Sequence, residues 1–327
     1  MHLLIPHAAP AGPQCQQALA QLHLPNLQAL LQRLTPGVRQ KGDPQSLSPL
    51  EEQLRASALG LPVLDGLLPW AALDALRLGL LSTQPAGALG AWAWLTPCHW
   101  QINADHVHME APERLQITPH ESAGLMQSMR SYFEEDGICL HALENGTWLA
   151  QGEVFDGMAT ASLARVRDTT VDAWMPRQTQ AKVLRRLQNE MQMLLYTHPI
   201  NDAREAQGLR TINSFWVSGT GSVPPDFANQ THAATQHIAN QLSIFAVQDD
   251  ATQWIAAWQH IDITLLAPML GSLQTPEGSG NKSDSYVSLT LCGNDCAQTF
   301  SLQSKTLWQK IQTRFTKPDI AFTLQNL

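Results

Sequence analysis

A compact group of polar and charged side chains lies near the middle of the chain, formed by His198, Asn201, Asp202, Arg204 and Glu205. An arginine fork can hold a phosphate or a carboxylate through two parallel hydrogen bonds. A histidine can carry a proton near neutral pH. The group therefore predicts recognition of an acidic ligand. The alternative interpretation is a helix end with local salt bridges, which the same spacing favours equally.

The elements around this group must position it. Apolar residues precede it at helical spacing and predict a helix with one buried face: Leu184, Leu187, Met191, Leu194 and Leu195. Pro199 ends that helix, because a residue before a proline is disfavoured in the α region. We expect a short second helix, a strand and then the glycine loop Gly219-Thr220-Gly221, whose amides could cradle an anion.

The predicted ligand-binding residues come from this helix, strand and glycine segment, together with one histidine in an earlier turn. They are Glu190, His198, Asn201, Asp202, Arg204, Asn213, Ser218, Gly219, Gly221 and His99. For His99, a purely structural histidine is an equally good interpretation. The glycine pair has neither the GxGxxG pattern nor the lysine of a P-loop, so it does not by itself predict a nucleotide site. No catalytic residue is assigned.

Two further groups could bind a metal ion. His106 and His108 alternate along a predicted strand beside Asp105 and Glu110, which is a spacing that can hold Zn²⁺. A solvated strand face explains the same pattern and is favoured. The pair Cys292 and Cys296 has the wrong spacing for a zinc knuckle or a thioredoxin motif. We predict no metal and no cofactor, with a divalent ion such as Mn or Zn as the alternative.

Composition limits the class of protein. The chain has 327 residues, of which 44% are hydrophobic and 15% charged, as in a globular protein with a substantial core. Its ten tryptophans are interpreted as large core side chains. A net charge of −8 without a basic run argues against nucleic acid. No apolar run is long enough for a membrane span. Five scattered cysteines predict reduced thiols in a cytoplasmic protein.

The order of elements predicts an α/β fold, with a mostly parallel sheet flanked by helices. We expect a core domain of residues 1–91 and 175–327 and an inserted α+β lobe of residues 92–174. Within the lobe, Thr118 to Glu121 forms a capping box that opens a helix to residue 135, and Asn145-Gly146 predicts a hairpin. Other predicted elements are strands at 2–5, 241–247 and 286–292, helices at 24–34, 50–59, 70–78, 250–260, 262–270 and 305–315, and a mobile loop at 275–284.

Several segments together resemble the alkaline-phosphatase superfamily, and most nearly its archaeal-type cofactor-independent phosphoglycerate mutases. Residues 24–30, Leu-Pro-Asn-Leu-Gln-Ala-Leu, resemble the Thr-Pro-Asn-Leu-Asp-x-Leu helix of those enzymes. Residues 198–221, from His-Pro-Ile-Asn through Arg204 and Asn213, resemble their His-Pro-x-Asn-x-x-Arg run and the Gly-x-Gly strand after it. Residues 261–268 and 288–292 resemble a later helix and a late strand. Over nearly its full length the chain also resembles the RpfE-type regulatory proteins, a proteobacterial group.

The resemblance implies an alkaline-phosphatase-like sheet and a site in which two divalent metals activate a Ser or Thr nucleophile. It also implies a metal-binding Asp after the first strand and an Asp-His pair after the late strand. This chain has Pro6-His7 and Cys292-Gly293-Asn294 at those places. Ser46 and Ser48 fall in the interval of the nucleophile, and Ser218 stands where some of these mutases have Arg. Affinity for hard metals should fall with the missing ligands.

Three functions follow from these observations. The first is a catalytically degenerate phosphoglycerate-mutase-like protein with a regulatory or ligand-binding role, which binds a phosphorylated or acidic small molecule or a protein partner. The second is an active, metal-dependent phosphomutase or phosphatase with relocated ligands, drawn from Asp65, His99, Asp105, His106 and His108. The third is an interaction module that docks through its Trp-rich lobe. Whether the chain is an enzyme stays open at this point.

Overall fold

The computed structural model describes residues 2–10, 12–80, 90–224, 227, 236–273, 287–302 and 318–327. The predicted loop at 275–284 and the predicted helix at 305–315 lie outside these ranges. Within them, no helix is both long enough and apolar enough to cross a bilayer. All five cysteines fall inside the described ranges and are free thiols, as predicted.

The strands are β1 His2–Ala9, β2 Thr35–Lys41, β3 Trp92–Cys98, β4 Trp100–Ile102, β5 Val107–Met109, β6 Cys139–Ala142, β7 Trp148–Gln151, β8 Thr169–Thr170, β9 Ser214–Gly221, β10 Gln236–Ile238, β11 Ser288–Gly293 and β12 Cys296–Ser301. The α-helices are α1 Pro13–Ala18, α2 Pro25–Arg33, α3 Leu50–Ala58, α4 Trp70–Arg77, α5 Pro119–Glu135, α6 Leu163–Val166, α7 Ala181–Leu195, α8 Pro199–Ala206, α9 Ser243–Gln248, α10 Ala251–Ile261, α11 Ala267–Ser272 and α12 Ile320–Gln325. A π-helical turn, Asp262–Leu266, joins α10 to α11.

These elements form two compact units. Unit 1 comprises Met1–Pro44, Leu50–Leu59 and Thr231–Leu327, and unit 2 comprises Gln45–Pro49 and Gly60–Gln230. The predicted lobe of residues 92–174 lies within unit 2. That unit also takes in later residues, because β9 pairs with β3 and α7 packs its apolar face into the same core. The division into a core domain and an inserted lobe stays a prediction.

Unit 1 is built on a five-stranded sheet in the order β10-β1-β11-β12-β2. Strand β1 is parallel to both β10 and β11, whereas the pairs β11–β12 and β12–β2 are antiparallel. Alternate side chains of β1 and β11, such as Leu3, Ile5 and Leu289, are fully buried against α2 and α10, where Trp254 and Trp258 are also inaccessible to solvent. The predicted α/β class is confirmed. The sheet is mixed and not mostly parallel, because β11, β12 and β2 connect as neighbouring antiparallel strands.

Strand β2 is the edge of this sheet within the described residues. Its side chains face solvent from Pro36 onward, and Val38 is 89% exposed. The pairing with β12 shifts between Arg39 and Pro36, so that Gly37 and Val38 stand opposite the single residue Thr299. This is the geometry of a β-bulge, which bends a strand and increases its twist.

Unit 2 contains a four-stranded sheet, β6-β7-β3-β9, and a three-stranded sheet, β4-β5-β8. The larger sheet packs against α5 and α7, whose apolar stripes enter one core with Trp148 and Phe215. On α7 the predicted residues Leu184, Leu187 and Met191 are buried, which confirms the helical periodicity. Trp92, Trp148 and Trp216 are almost inaccessible to solvent, so these tryptophans are core side chains, as interpreted from the sequence.

Several predicted elements are confirmed by the local structure. Thr118 and Glu121 form the capping box at the start of α5. The hairpin of β6 and β7 turns through Gly146, which has φ +83°.

The strand predicted at 241–247 is wrong, because this segment is the end of a 3₁₀ turn followed by α9. A short apolar run does not distinguish a buried strand from a buried helix. The strand predicted to stop at Pro6 continues to Ala9 through a bulge.

Candidate functional site

Arg204, the predicted anion-binding residue, is buried in unit 2, with 1% of its side chain exposed. Its Nε donates to the carbonyl of Arg210 at 2.7 Å and its Nη1 to Oε1 of Glu121 at 2.9 Å. Its Nη2 donates to the carbonyl of Leu115. The guanidinium therefore joins α5, α8, the 3₁₀ turn that ends at Leu115 and the loop at Arg210. Each nitrogen of the guanidinium donates to a group of the protein itself. This favours the second interpretation of the sequence, a helix end held by local bonds, over an anion-binding site.

Two asparagines of the predicted site bond to backbone. Asn201 donates from Nδ2 to the carbonyls of Leu195 and Ile212, both at 2.8 Å, and accepts from the amide of Ile212 at 2.9 Å. Asn213 accepts from the amide of Trp100 at 2.7 Å and donates to the carbonyl of the same residue at 2.9 Å. Both side chains bond to backbone amides and carbonyls, as a neighbouring strand would, and they hold the segment between α8 and β9 in place.

His198 caps the start of α8. Its Nδ1 accepts from the amide of Ile200 at 3.2 Å, so the proton of the neutral ring is on Nε2. Nε2 then donates to Oγ of Ser128 at 2.9 Å, and that hydroxyl donates to the carbonyl of Gly124 at 3.0 Å. A histidine that activates a serine must accept the hydroxyl proton. The pair runs in the opposite direction and therefore stabilises the helix terminus.

The remaining predicted residues do not form a single pocket with these. Glu190 pairs with Arg186 on the outer face of α7 at 2.8 Å, and Asp202 is exposed in the first turn of α8. Ser218 is buried in the ladder opposite Trp94. Gly219, Thr220 and Gly221 belong to β9, so the predicted glycine loop is wrong. Gly219, the nearest of the three, lies six residues beyond Asn213, which is about 20 Å at about 3.3 Å per residue.

The two glycines have steric reasons to be there. Gly219 has φ +63°, and a Cβ at that position would lie 2.9 Å from the indole of Trp94. Gly221 has φ +131° and packs on Pro69. Left-handed backbone and close packing both require glycine. These positions therefore allow β9 to pass close to the start of α4.

We expect the Arg204 network to make stability depend on pH. Burial alone would raise the pKa of Glu121, but hydrogen bonds from Thr118 and Arg204 hold this pKa below its ordinary value of 4.5. Since the unfolded state then binds the proton more readily, the contribution is present above pH 4.5 and is lost as pH falls through the lowered pKa. Glu121→Gln should cost about 1 kcal/mol at neutral pH, because this partly exposed pair is screened by solvent.

The measurement is urea unfolding of both proteins at neutral pH and at several values below 4.5. Glutamine at this position keeps the capping box, so the difference between the two proteins reports the charge. The difference should shrink toward zero in acid. A difference that stays constant at all pH values would contradict this assignment. Glu134→Gln, in a long surface pair with Arg130 at 3.9 Å, is the matched control and should change stability little at any pH.

The histidines predicted as alternative metal ligands are dispersed. His106 accepts through Nε2 from Asn103 at 3.1 Å in the turn before β5, and His108 lies within β5. His99 is held by the carbonyl of Thr211. In residues 2–80 (except 11) and 90–224, and in the later described segments, no group of three or more His, Cys, Asp or Glu side chains is placed to hold a metal ion.

Ser46 and Ser48, which fall in the interval of the nucleophile, lie in a turn of unit 2. Ser46 donates to the carbonyl of Ser48 at 2.7 Å and accepts from Nη2 of Arg165 at 2.9 Å. The hydroxyl of Ser48 is buried and accepts from the amide of Gly66 at 2.9 Å. Asp65 accepts from the amide of Ser48 at 2.8 Å. These bonds close the turn.

The most notable polar arrangement of unit 1 lies where β1 and its parallel neighbour β11 end. Between the pairs Ile5–Leu291 and Ala9–Gly293, three residues of β1 stand opposite Cys292 alone. Proline is tolerated at such a bulge because no ladder bond needs its missing N–H. His7 follows Pro6 with φ +54°, a left-handed conformation that is rare in residues other than glycine. Bulges of this kind re-aim a side chain and are frequent beside functional sites.

The bulge brings His7 to α3. Its Nε2 lies 3.9 Å from Oε2 of Glu51, and Oε1 of that carboxylate lies 3.3 Å from Nη1 of Arg55 one helical turn later. The side chains are partly accessible, with 30% of His7, 14% of Glu51 and 31% of Arg55 exposed. The carbonyl of His7 accepts from the indole of Trp254 at 3.2 Å, which fixes the strained backbone. An imidazole, a carboxylate and a guanidinium thus adjoin near the carboxyl ends of the parallel strands β1 and β11.

Cys292 completes this end of the sheet. The residue is 1% exposed, and burial raises the pKa of its thiol to about 12, with a further contribution from the charge of Glu51. The thiol is therefore protonated at neutral pH. A metal ligand must be a thiolate, so this donor set, with one carboxylate and a neutral thiol, does not fit a centre of two hard divalent metals.

Sequence reasoning did not identify Glu51 and Arg55, and it treated His7 only as a departure from a metal-binding pattern. The available signal was the helical spacing of Glu51 and Arg55, which predicts a pair on one face of α3. The contact with His7 spans more than forty residues of sequence, and only the course of β1 and α3 reveals it.

Comparison with solved structures finds several similar chains, two of which are described here. One is a protein from Pyrococcus horikoshii, with a TM-score of 0.49 and 12% identity, over 98% of this chain and 92% of that one. The other is a cofactor-independent phosphoglycerate mutase from Thermoplasma acidophilum, with a TM-score of 0.36 and 13% identity, over 99% of this chain and 98% of that one. No protein-family model and no curated protein matches the chain.

Proposed function

We propose that this chain is a phosphoglycerate-mutase-like protein of the RpfE type, which binds a phosphorylated or acidic small molecule in a regulatory role and transfers no phosphoryl group. The observation that carries the proposal is the cluster of His7, Glu51 and Arg55 at the bulged end of β1. Strands β1 and β11 are parallel neighbours within the mixed sheet, and in open α/β sheets ligands bind beyond the carboxyl ends of parallel strands. A cytoplasmic location belongs to the same proposal and is supported by the free thiols.

The charges of the cluster suit an anion. Arg55 presents a planar fork of N–H groups, which matches a carboxylate or a phosphate. The carboxylate of Glu51 holds that position at 3.3 Å, so an incoming anion competes with an internal one. His7 can add a hydrogen bond to the bound anion. Exchange of Glu51 for a ligand would free the first turn of α3, a local change that a regulatory protein can pass to a partner.

The residues at the places of the implied metal ligands support binding without phosphoryl transfer. The imidazole of His7 faces a carboxylate of its own chain, and Cys292 is a buried neutral thiol. Metal-assisted phosphoryl transfer requires ligands that hold two cations against the developing charge. The cluster supplies positive charge from a guanidinium, which stabilises a bound phosphate but does not generate a nucleophile.

Titration of the full chain with 3-phosphoglycerate and with inorganic phosphate, in the presence of EDTA, tests the proposal by calorimetry. We expect saturable binding of at least one probe. Arg55→Gln should weaken it by at least about tenfold, since a charge-assisted hydrogen bond contributes about 1.5–3 kcal/mol. Arg77→Gln is the matched control. Arg77 pairs with Asp74 at 3.2 Å on a helix and is 72% exposed, so its loss should leave binding unchanged.

Three outcomes would overturn the proposal. Failure of both probes to bind, or equal binding by Arg55→Gln, would remove the site. Stoichiometric Mn or Zn in the purified protein, together with interconversion of 2- and 3-phosphoglycerate, would instead support the active phosphomutase. Binding in EDTA that depends on Arg55, without turnover when Mn is added, would support the regulatory function.

A further inference from the structure

A narrow crevice lies in unit 2, between the first half of α7 and the strand β9. It encloses about 240 Å³ of empty space, counted out to its mouth, and its inner part has room for about one water molecule. Most of its wall is apolar, and two polar side chains of α7, Arg185 and Gln188, join that wall. The lining residues are Met175, Pro176, Ala181, Leu184, Arg185, Gln188, Trp216 and Val217. The crevice can therefore hold one small group and offer polar contacts to it.

Gln188 supplies a hydrogen-bond acceptor to this crevice. The residue is 4% exposed, and its Nε2 donates to the carbonyl of Phe215 at 3.0 Å. That bond fixes the orientation of the amide, so Oε1 is the atom that is left over. Oε1 has no hydrogen-bond partner among the described residues, and it is not one of the side-chain oxygens that are shielded from solvent. Since the residue lines the crevice, a small donor inside the crevice can reach this oxygen.

Arg185 supplies a cation at the same place. It lies three residues before Gln188 on α7, and side chains at this spacing are neighbours on one helix face. Its Nη1 donates to the carbonyl of Pro176 at 3.0 Å, which holds the guanidinium against the wall of the crevice. The residue is otherwise exposed, so the N–H groups of Nε and Nη2 remain available. This side of the guanidinium fork can bind a carboxylate.

The positive charge around Arg185 is not balanced by ion pairs. Arg177 and Lys182 are exposed and directly follow Pro176 and Ala181, which both line the crevice. In the described part of the chain none of these three cations pairs with a carboxylate, and the first turn of α7 has no acidic residue. Cations near the positive end of a helix dipole are unfavourable. In a chain with a net charge of −8, this local surplus attracts a small anion.

We propose that this crevice binds a small α-hydroxy carboxylate. The carboxylate would accept hydrogen bonds from Arg185, and the hydroxyl group on the neighbouring carbon would enter the crevice and donate to Oε1 of Gln188. A hydroxyl group suits this position because it is no larger than a water molecule and offers one donor to one neutral acceptor. An ammonium group would instead be repelled by Arg177, Lys182 and Arg185. This site lies in unit 2 and does not depend on the anion site proposed at Arg55 in unit 1.

Calorimetric titration of the full chain with glycolate, L-lactate, D-lactate and D-glycerate, one at a time at low ionic strength, tests this site. At least one of these hydroxy acids should bind saturably. Arg185→Gln should weaken that binding by at least about tenfold, since a hydrogen bond between charged groups is lost. Its exposed side chain can be replaced with little effect on folding.

Arg186→Gln is the matched control. It removes the same charge from the next position of α7, where the arginine pairs with Glu190 at 2.8 Å and with Asp136. That guanidinium does not line the crevice, and its charge is already balanced by the two carboxylates. The variant should therefore bind the hydroxy acid like the unchanged chain.

Ligand analogues test each contact separately, and those of lactate serve as the example. Propionate lacks the hydroxyl group and should bind at least about fivefold more weakly, because Oε1 of Gln188 then loses water without gaining a donor. Propylene glycol lacks the carboxylate and should bind at least about tenfold more weakly. L-Alanine, with an ammonium group in place of the hydroxyl group, should also bind more weakly. Gln188→Met removes the acceptor at similar shape, so it should bring the affinities for lactate and propionate together.

The proposal is overturned if none of the four hydroxy acids binds, or if Arg185→Gln and Arg186→Gln bind them equally well. Equal affinities for lactate and propionate in the unchanged chain would overturn recognition of the hydroxyl group. If Gln188→Met does not fold, because the carbonyl of Phe215 has lost its donor, the comparison of these two ligands decides the role of Gln188. Binding that is lost in Arg55→Gln but kept in Arg185→Gln would assign the hydroxy acid to unit 1 and overturn this site.

Discussion

Arg204→Ala is expected to lower the free energy of unfolding by about 3–5 kcal/mol, as removal of one partner from a buried charged network does. The side chain is 1% exposed and donates to Glu121 and to the carbonyls of Arg210 and Leu115. Its loss leaves a cavity and two carbonyls without donors. Each shielded polar group that loses its partner costs about 1–3 kcal/mol. Urea unfolding followed by circular dichroism measures the change.

The matched control is Arg114→Ala. Arg114 makes a bidentate pair with Asp168, at 3.0 and 2.7 Å, but is 63% exposed. Water replaces its contacts, so the expected loss is about 0–1 kcal/mol. Similar losses for the two variants would contradict the structural role assigned to Arg204. A strong loss of ligand binding by Arg204→Lys at unchanged stability would instead restore the role predicted from the sequence.

Asp262→Ala is expected to cost about 3 kcal/mol, because it removes the acceptor of several N–H groups in a buried setting. Asp262 is 1% exposed and lies at the start of the π-helical turn after α10. It accepts from the amide of Leu27 at 2.8 Å, and from the amide and Nδ2 of Asn26 at 3.2 and 2.9 Å. The carboxylate thus caps α2 from a distant part of unit 1, where the partial positive charge of the helix end stabilises it.

The same unfolding measurement includes Asp262→Asn and a control. Asparagine keeps one acceptor oxygen and loses the charge, so its stability should lie between those of the unchanged chain and Asp262→Ala. Asp250→Ala removes an exposed cap, which accepts from Gln253 at 3.0 Å, and should cost only about 1 kcal/mol. If Asp262→Ala costs no more than Asp250→Ala, the carboxylate does not hold α2 in place.

Local features of the sequence predicted local structure well. The capping box from Thr118 to Glu121 and the hairpin at Asn145-Gly146 form as predicted, because each depends on neighbouring residues whose φ, ψ and hydrogen bonds are set within a few positions. The apolar stripe of α7 is buried for the same reason. The strand prediction for residues 241–247 failed because a short apolar run has no periodicity that distinguishes a strand from a helix.

The candidate sites depended on contacts that the sequence does not encode locally. The spacing of His198, Asn201 and Arg204 indicated a polar group, but whether its donors face a ligand or backbone depends on distant carbonyls such as that of Leu115. The nearness of His7 to Glu51, and of His99 to Arg210, depends on the paths of the chain between them. His99 was predicted from its turn, whereas Glu110 was considered only beside the candidate metal pair His106 and His108, and Arg210 was not predicted at all.

Strand β2, which forms the edge of the unit 1 sheet among the described residues, affects how neighbouring molecules can contact one another. An unpaired strand edge is a template on which a second chain can add its own strand, and this is a common beginning of aggregation. Strand β2 carries Pro36, a bulge at Gly37 and Val38, and the cations Arg39 and Lys41. Each of these makes a neighbouring strand fit poorly. We therefore expect the proline, the bulge and the two cations of β2 to hinder pairing of this edge with a strand of another copy in concentrated solution.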